Sequence, residues 1–398
     1  MRVLVLHNRY AQPGGEDSVV DEEYALLEHA GHAVERLIVD NADLGGVNGL
    51  AAARVAANAL WSRSASELVR GRIARFRPDV LHVHNTFPRL SPSVYAAGHA
   101  AGVSVVQTLH NFRMLCPNAL LFRDGHICHE CVGARVPWRG VLHACYRDSR
   151  AQTGVAAALL TGQRVQRARG NPVDIYIALT DFARRLFISG GLPADTLVVK
   201  PNFLSRDPGE RPSIGEYCLF VGRLTAEKGV RTLLDAWLGM DAPPPLRVAG
   251  AGPLANEVTL AVCAQPAITY LGQLPREHVL EQMRGARLLV VTSEWHENFP
   301  MTIVEAFACG VPVLSTSVGG LSEIVQDGNQ GWLTPPGDAA ALAARVQRLW
   351  ADTDGIVAAG HAARRAFEQH YSAAAQLPQL LAVYERAITG AHARKRPS

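Results

Sequence analysis

The strongest constraint on this chain is a rhythm. Short apolar runs alternate with longer stretches of helical periodicity through residues 2–199. The alternation stops in a proline-rich segment at 201–212 and then begins again. The runs at 2–6, 34–39, 80–83, 103–109, 175–179 and 197–199, and later at 217–221, 246–249, 268–271, 288–292 and 313–315, are apolar along most of their length. Such runs suit strands buried on both faces, and strands that alternate with helices pair in parallel beneath helical layers. The chain is therefore predicted to be α/β, with two doubly wound domains facing across a cleft. The first is expected over 1–205, with an irregular insertion at 111–150, and the second over 206–375. Residues 376–398 read as a C-terminal helix able to pack back on the first domain, with a basic tail. One helical stretch is expected over 48–76, one helix opens on an Asp181 cap, and one runs over 297–308.

A chain of 398 residues exceeds what one core usually serves, in agreement with two domains. Apolar residues make up 48% and charged residues 19%, which excludes a disordered chain. A net charge of +3 is too small to point to nucleic acid. Residues 1–205 hold 22 Lys+Arg against 17 Asp+Glu, which suits an anionic lipid surface; an ordinary solvated surface is the alternative. No stretch approaches the ~18 apolar residues of a membrane span. The first strand runs straight into a polar loop rather than an extended apolar leader, so a cytoplasmic location with reduced thiols is expected, and peripheral contact with the inner membrane surface is left open.

The stretch from Ser293 to Gly320 carries the densest chemistry. Glu297 falls in a loop after a strand, and Glu305 falls one to two turns into the helix that follows. A helix N-terminus offers free N–H groups and a positive dipole end to an anion. Carboxylates beside an anion site suit a ligand with hydroxyls and phosphates, such as a nucleotide sugar. Arg223 and Lys228 lie five apart between a strand and a helix, where two cations can neutralise a diphosphate. Lysine is scarce here (Lys200, Lys228 and Lys395), which favours a specific role over a chance surface lysine. Gly250 and Gly252 follow the next strand and permit close backbone approach. His110 ends a strand at its carboxyl edge, where it can serve a ligand or merely cap the strand, and His82 and His84 read as structural.

Cys116, Cys128, Cys131 and Cys145 fall within thirty residues, and the Cys128–Cys131 spacing is that of a zinc-binding pair. A structural zinc and a loop of free thiols are both compatible with this pattern. No catalytic metal or other cofactor is expected, because the cations at 223 and 228 can serve the diphosphate. Asp352 and Asp354 read as a turn between helices. Gly14-Gly15 is too short and too far from its strand for a dinucleotide fingerprint, although Asp40 stands where a ribose-binding acid would, so a nicotinamide oxidoreductase is the weaker alternative. A non-catalytic nucleotide-sugar-binding module is the other alternative.

Taken together, Gly14-Gly15, Thr108-Leu109-His110-Asn111, Val221-Gly222-Arg223 with Glu227-Lys228-Gly229, Gly250-Ala251-Gly252-Pro253, and Glu297 through Glu305 into Ala308-Cys309-Gly310-Val311-Pro312-Val313 resemble the retaining glycosyltransferases of family 4, over nearly the whole chain. The cysteine-rich insertion resembles a branch of that family from bacterial polysaccharide biosynthesis. The resemblance implies a GT-B fold of two Rossmann-like domains and transfer from a nucleotide-diphosphate sugar (UDP or GDP) to a hydroxyl of a glycan or glycolipid acceptor. It implies that Glu305 holds the donor ribose and that Glu297 meets the sugar hydroxyls. The backbone of Asn298, Phe299, Pro300 and Met301 would lie near sugar and phosphate. Arg223 and Lys228 would bind the diphosphate, His110 would serve the sugar or the reacting centre, and Gly15 would let its loop approach. Asn298 and Pro300 stand where the family often has glycine, which makes the donor's identity harder to infer.

Overall fold

The computed structural model describes residues 1–9, 14–41 and 49–395. It divides into two compact units, one of Met1–Leu121, Cys128–Ser205 and Gln376–Ser398, the other of Phe122–Ile127 and Arg206–Ala375.

The first unit carries strands β1 (Arg2–Asn8), β2 (Ala33–Val39), β3 (Val80–Asn85) and β4 (Ser104–Thr108). In chain order there follow a short hairpin, β5 (Phe122–Arg123) and β6 (His126–Ile127), which groups with the second unit, and strands β7 (Ile175–Ala178) and β8 (Leu197–Val199) of the first. The six strands of the first unit form a sheet in the order β2-β1-β3-β4-β7-β8, every pair parallel. Val3, Leu4, Val5 and Leu6 are buried to within 1%, as a central strand covered on both faces requires. The second unit repeats the plan with β9 (Tyr217–Val221), β10 (Leu246–Ala249), β11 (Ile268–Gly272), β12 (Ala286–Val291), β13 (Val313–Thr316) and β14 (Gly331–Thr334), ordered β11-β10-β9-β12-β13-β14. In each sheet the strand order reverses direction beside the first strand of its unit, between β1 and β3 and between β9 and β12. Such a reversal leaves a crevice at the carboxyl ends of those strands.

Several expectations are corrected. The 48–76 stretch is two helices, Gly49–Leu60 and Arg63–Phe76, because the Ser62 side chain accepts from Ala65 N–H at 3.2 Å and starts a new helix. Thr180, not Asp181, caps Asp181–Ser189, its hydroxyl accepting from Ala183 N–H at 3.1 Å. The helix expected over 297–308 starts at Met301, since Pro300 just before it is extended and cannot donate to a preceding turn. The insertion is divided, with β5 and β6 falling in the second unit; a two-residue ladder is too short to hold a core of its own.

The proline-rich segment is fastened at both ends. Ser205 N–H donates to Glu22 at 2.5 Å in the first unit, whereas Arg211 donates to Ala286 O at 2.9 Å and Asp207 pairs with Arg364 in the second. The chain returns to the first unit at Gln376, where Pro378 sits in the opening turns of Ala373–Lys395. That helix buries Tyr384, whose hydroxyl lies 2.8 Å from His82 Nδ1.

Candidate active site

In the second unit the loops after β9 and β12 flank the strand-order reversal. The β9 loop passes through Leu224 and Thr225 into Gly229, which adopts φ +66°. A Cβ there would lie 1.8 Å from Thr292 O, so only glycine lets the two loops touch. Thr292 hydroxyl donates to Lys228 O at 2.9 Å, and Glu294 N–H donates to Glu227 O at 2.9 Å, which locks the loops together.

This contact delivers Lys228 to Glu297. Lys228 Nζ donates to Glu297 Oε1 at 2.5 Å, and Ser293 hydroxyl donates to the same oxygen at 2.6 Å. Burial pushes the Glu297 carboxyl up, but the Lys228 charge and the hydrogen bonds from Lys228 and Ser293 outweigh it and hold the group below its ordinary range. Glu297 is thus a fixed carboxylate, and Lys228 is an ammonium with two hydrogens not taken by that oxygen. This arrangement can bind hydroxyls and phosphate oxygens side by side. Trp295 lies beneath the ammonium, 5.4 Å from ring centroid to Nζ.

Glu305 is buried just over one turn into Met301–Ala308, with Arg276 Nε 3.4 Å from its Oε1. Asn298, Phe299 and Met301 are buried and Pro300 is half-buried, so the segment before the helix is held in place. Arg223 differs from Lys228: its side chain is 59% exposed and lies 3.4 Å from Glu227. The structure brings together Lys228, Glu297 and Ser293, and leaves Arg223 on the rim.

The glycine loop after β10 is built for close approach. Gly250 takes φ +147° and Gly252 φ +159°, and a Cβ would stand 1.8 Å from Gly222 O at the first and 2.5 Å from Leu224 O at the second. Both clashes are with backbone of the β9 loop. Gly250→Ala is therefore expected to destabilise the second unit by about 3 kcal/mol, the upper end of ordinary substitutions. Urea unfolding of the purified variant would measure this.

In the first unit His110 follows β4 at its carboxyl edge, half-buried, and its Nε2 lies 2.8 Å from His84 Nδ1. His84 Nε2 in turn faces Glu23 Oε2 at 3.4 Å, and Glu23 Oε1 accepts from Lys200 Nζ at 2.9 Å. His82 spends both ring nitrogens, on Tyr384 and on Thr108, each at 2.8 Å. Among the described residues Glu23, His82 and His84 bring ligand-type atoms within 4.8 Å of one another. They do not suit a cation, since Lys200 already balances Glu23 and His82 has no nitrogen to spare. His7 pairs with Asp17 at 2.8 Å. Gly15 is exposed at the start of the first helix, and Gly14 N–H donates to Asp17 Oδ2 at 2.9 Å. Asp40 is exposed beyond β2. Asp352 caps the helix Thr353–Ala366 through Gly355 N–H at 2.9 Å, in line with its reading as a turn.

The residues that sequence reasoning missed are the buried partners. Lys200 and Glu23 are an ion pair at 2% and 3% exposure, and Ser293 braces Glu297. The scarcity of lysine is the signal that could have found Lys200.

The four insertion cysteines carry free thiols. Cys116 Sγ donates to Asn118 Oδ1 at 2.9 Å. Burial pushes the Cys131 thiol up to about 11, with the neighbouring Cys116, Cys145 and Cys128 adding to the shift.

Two Rossmann-like domains, each built on a six-stranded parallel sheet with a strand-order reversal, define the GT-B fold. Solved structures agree on the fold. HepE of Anabaena in complex with UDP matches with a TM-score of 0.68 at 19% identity, covering 97% of this chain and 100% of that one. Sucrose-phosphate synthase of Thermosynechococcus elongatus matches with a TM-score of 0.71 at 17% identity, covering 98% and 99%. The profile of the glycosyl transferases group 1 matches residues 215–352, and that of the glycosyl transferase 4-like domain matches residues 14–202. The chain belongs to the group 1 glycosyltransferases, of family 4 type. Phosphatidyl-myo-inositol mannosyltransferase of Mycobacterium leprae is 31% identical over 230 residues, which is 54% of this chain and 59% of the relative. The putative teichuronic acid biosynthesis glycosyltransferase TuaC of Bacillus subtilis is 26% identical over 272 residues, or 68% and 61%. The matched regions thus span about three fifths of these curated relatives, and 22% of a third, the exopolysaccharide phosphotransferase SCO2592 of Streptomyces coelicolor.

Proposed function

We propose that this protein transfers a sugar, with retention at the anomeric carbon, from a UDP- or GDP-sugar to a hydroxyl of a lipid-linked or polysaccharide intermediate. The observation that carries this reading is the Lys228–Glu297–Ser293 group at the reversal between β9 and β12. The bond between the anomeric carbon and the donor's distal phosphate oxygen breaks, and its electron pair stays on the leaving diphosphate. The acceptor oxygen bonds the same carbon from the same face, and its proton passes to a phosphate oxygen. Charge grows on the diphosphate in this step, so a preorganised ammonium and the N-terminus of Met301–Ala308 favour the transition state over the bound donor. Glu297 receives the sugar hydroxyls, Glu305 the ribose, and His110 the sugar or the reacting centre. Arg223 reaches the diphosphate from the rim. UDP in the HepE structure and the polysaccharide and glycolipid names of the relatives support the donor and acceptor classes. No described helix is long and apolar enough to cross a membrane, and a peripheral place at the cytosolic membrane face is part of this reading.

A thermal-shift screen tests the donor, because a ligand bound only to the folded state raises stability by mass action. A UDP- or GDP-sugar is expected to raise the melting temperature and to be hydrolysed slowly without acceptor. A response to NADH alone, with none to any nucleotide sugar, would replace this reading with the oxidoreductase.

The insertion cysteines are proposed to hold a structural zinc through Cys116, Cys128, Cys131 and Cys145. One equivalent of zinc is expected in the purified protein, and its removal by chelator should lower the melting temperature. Metal-free protein whose four thiols all titrate freely would end this proposal.

A further inference from the structure

The first unit carries an apolar surface that the transfer reaction does not use. A groove of about 750 Å³ runs between the short helix Trp138–Leu142 and the helix Arg150–Arg169, lined by Val136, Trp138, Leu142, Gly154, Ala158 and Thr161 among others. Trp138 is 58% exposed, Leu142 54% and Val136 48%. Trp138 and Leu142 stand four apart and so share one helix face. On the longer helix Gly154, Ala158, Thr161 and Val165 recur at three- and four-residue spacing and form a second apolar stripe, in which Val165 is also exposed. Large apolar side chains grouped in this way on one surface mark an interaction site.

The scaffold beneath them is pinned. Arg164 donates to Cys131 O at 3.0 Å, to Leu115 O at 3.3 Å and to Ala134 O, tying the longer helix to the insertion from below. Tyr146 N–H donates to Thr153 hydroxyl at 2.9 Å, and Ser149 caps the helix. The exposed Trp138 and Leu142 are thus held outward by a braced loop.

The charge around the groove says what covers it. Between residues 131 and 150 there are four arginines, Arg135, Arg139, Arg147 and Arg150, against one carboxylate, Asp148. All four guanidinium-bearing residues are exposed, and Arg139 lies over the Trp138 ring at 5.6 Å. Tryptophan beside arginine suits the boundary between acyl chains and phosphate headgroups, where the ring is buried and the cation stays wet. Shallow apolar insertion alone gives marginal membrane binding, and basic charge on an anionic surface supplies the second attraction that stable docking needs. We infer that this face of the insertion, with Trp138 and Leu142 as wedge and Arg135, Arg139 and Arg150 as headgroup contacts, docks the protein on an anionic lipid bilayer. The inference rests on the peripheral membrane place in the proposed function and names the face that makes the contact.

Vesicle flotation of the full chain, without donor or acceptor, tests it independently of turnover. Vesicles of phosphatidylcholine alone are compared with vesicles containing about one third phosphatidylglycerol. The protein is expected to float with the anionic vesicles at low salt and to be released by salt. The Trp138→Ser/Leu142→Ser double variant should bind at least ~10-fold more weakly. Arg139→Gln/Arg150→Gln should lose most of the anionic preference, and Trp138→Phe should retain binding. An unchanged melting temperature and an unchanged thermal shift with nucleotide sugar show that each variant is folded and that its donor site is intact. Wild-type protein that stays with the soluble fraction, or a double variant that floats like wild type, overturns the inference. So does light scattering that shows the double variant to have lost self-association while keeping its flotation, since the face would then join copies of this chain.

Discussion

Lys228→Met is expected to lower turnover by about 10²–10³, the loss typical of one preorganised electrostatic group, and to destabilise the second unit as well. The two effects have one cause. Lys228 Nζ is 2.5 Å from the buried Glu297, so removing the ammonium leaves a carboxylate without its counter-charge. Breaking a buried pair from one side costs about 3 kcal/mol. The pH dependence identifies the mechanism. Glu297 is held below its ordinary range in the wild type, so the stability it contributes is present above the unfolded carboxyl value and is lost as pH falls through the lower folded value. In Lys228→Met the burial that raises Glu297 is no longer offset by that charge, so the variant should gain stability on acidification toward that range instead of losing it. Glu297→Gln in the same background should restore stability near neutral pH without restoring turnover. Urea unfolding at several pH values, with release of the nucleotide as the activity readout, measures both. A variant with wild-type turnover would refute the role given to Lys228.

The second large effect is expected in the first unit, and it follows from buried histidines. Burial pushes His82 down to about 4, with Lys200 adding to the shift and Glu23 opposing it. His84 and His110 are also held well below the ordinary value, by burial first and then by each other's neighbourhood: His82, His110, His7 and Lys200 around His84, and His7, His82 and Lys200 around His110. All three are neutral in the folded protein near pH 7. The unfolded chain binds protons near pH 6.5 and the folded chain does not, so stability is complete above that value and declines as pH falls. For His82 the window runs from about 6.5 to about 4, worth ~3 kcal/mol when fully traversed. Protons should therefore be taken up on unfolding near pH 5, and His82→Gln should reduce that uptake by about one proton. Calorimetry in buffers of different ionisation enthalpy counts those protons. Uptake that is the same in the variant would show that His82 is not the group that titrates.

Much of this molecule was legible before its structure. The continuous apolar runs at 2–6 and 217–221 define buried parallel strands because no alternating pattern could cover only one face. The glycines at 250 and 252 mark close approaches, and Lys228 stood out because lysine is scarce. Helix starts were less legible. Ser62 and Thr180 cap their helices through single hydroxyl bonds that compete with neighbouring candidates of similar propensity, and Pro300 moved the start of the glutamate-bearing helix to Met301.

What the sequence by itself determined is the two-domain α/β architecture, the loops that carry chemistry, and the set of charged residues from which a site could be drawn. These depend on local periodicity, and local periodicity is written along the chain. Only the tertiary structure decided which charges meet. Glu297 and Lys228 are 69 residues apart, Lys200 and Glu23 are 177 apart, and Tyr384 reaches His82 across 302 residues. Arg223, equal to Lys228 in the sequence, was left exposed on the rim while Lys228 was turned onto the buried carboxylate. The reason is physical: a buried charge is tolerated only where packing brings a partner to it, and that pairing is made by the contact of two loops, each of which the sequence shows only separately.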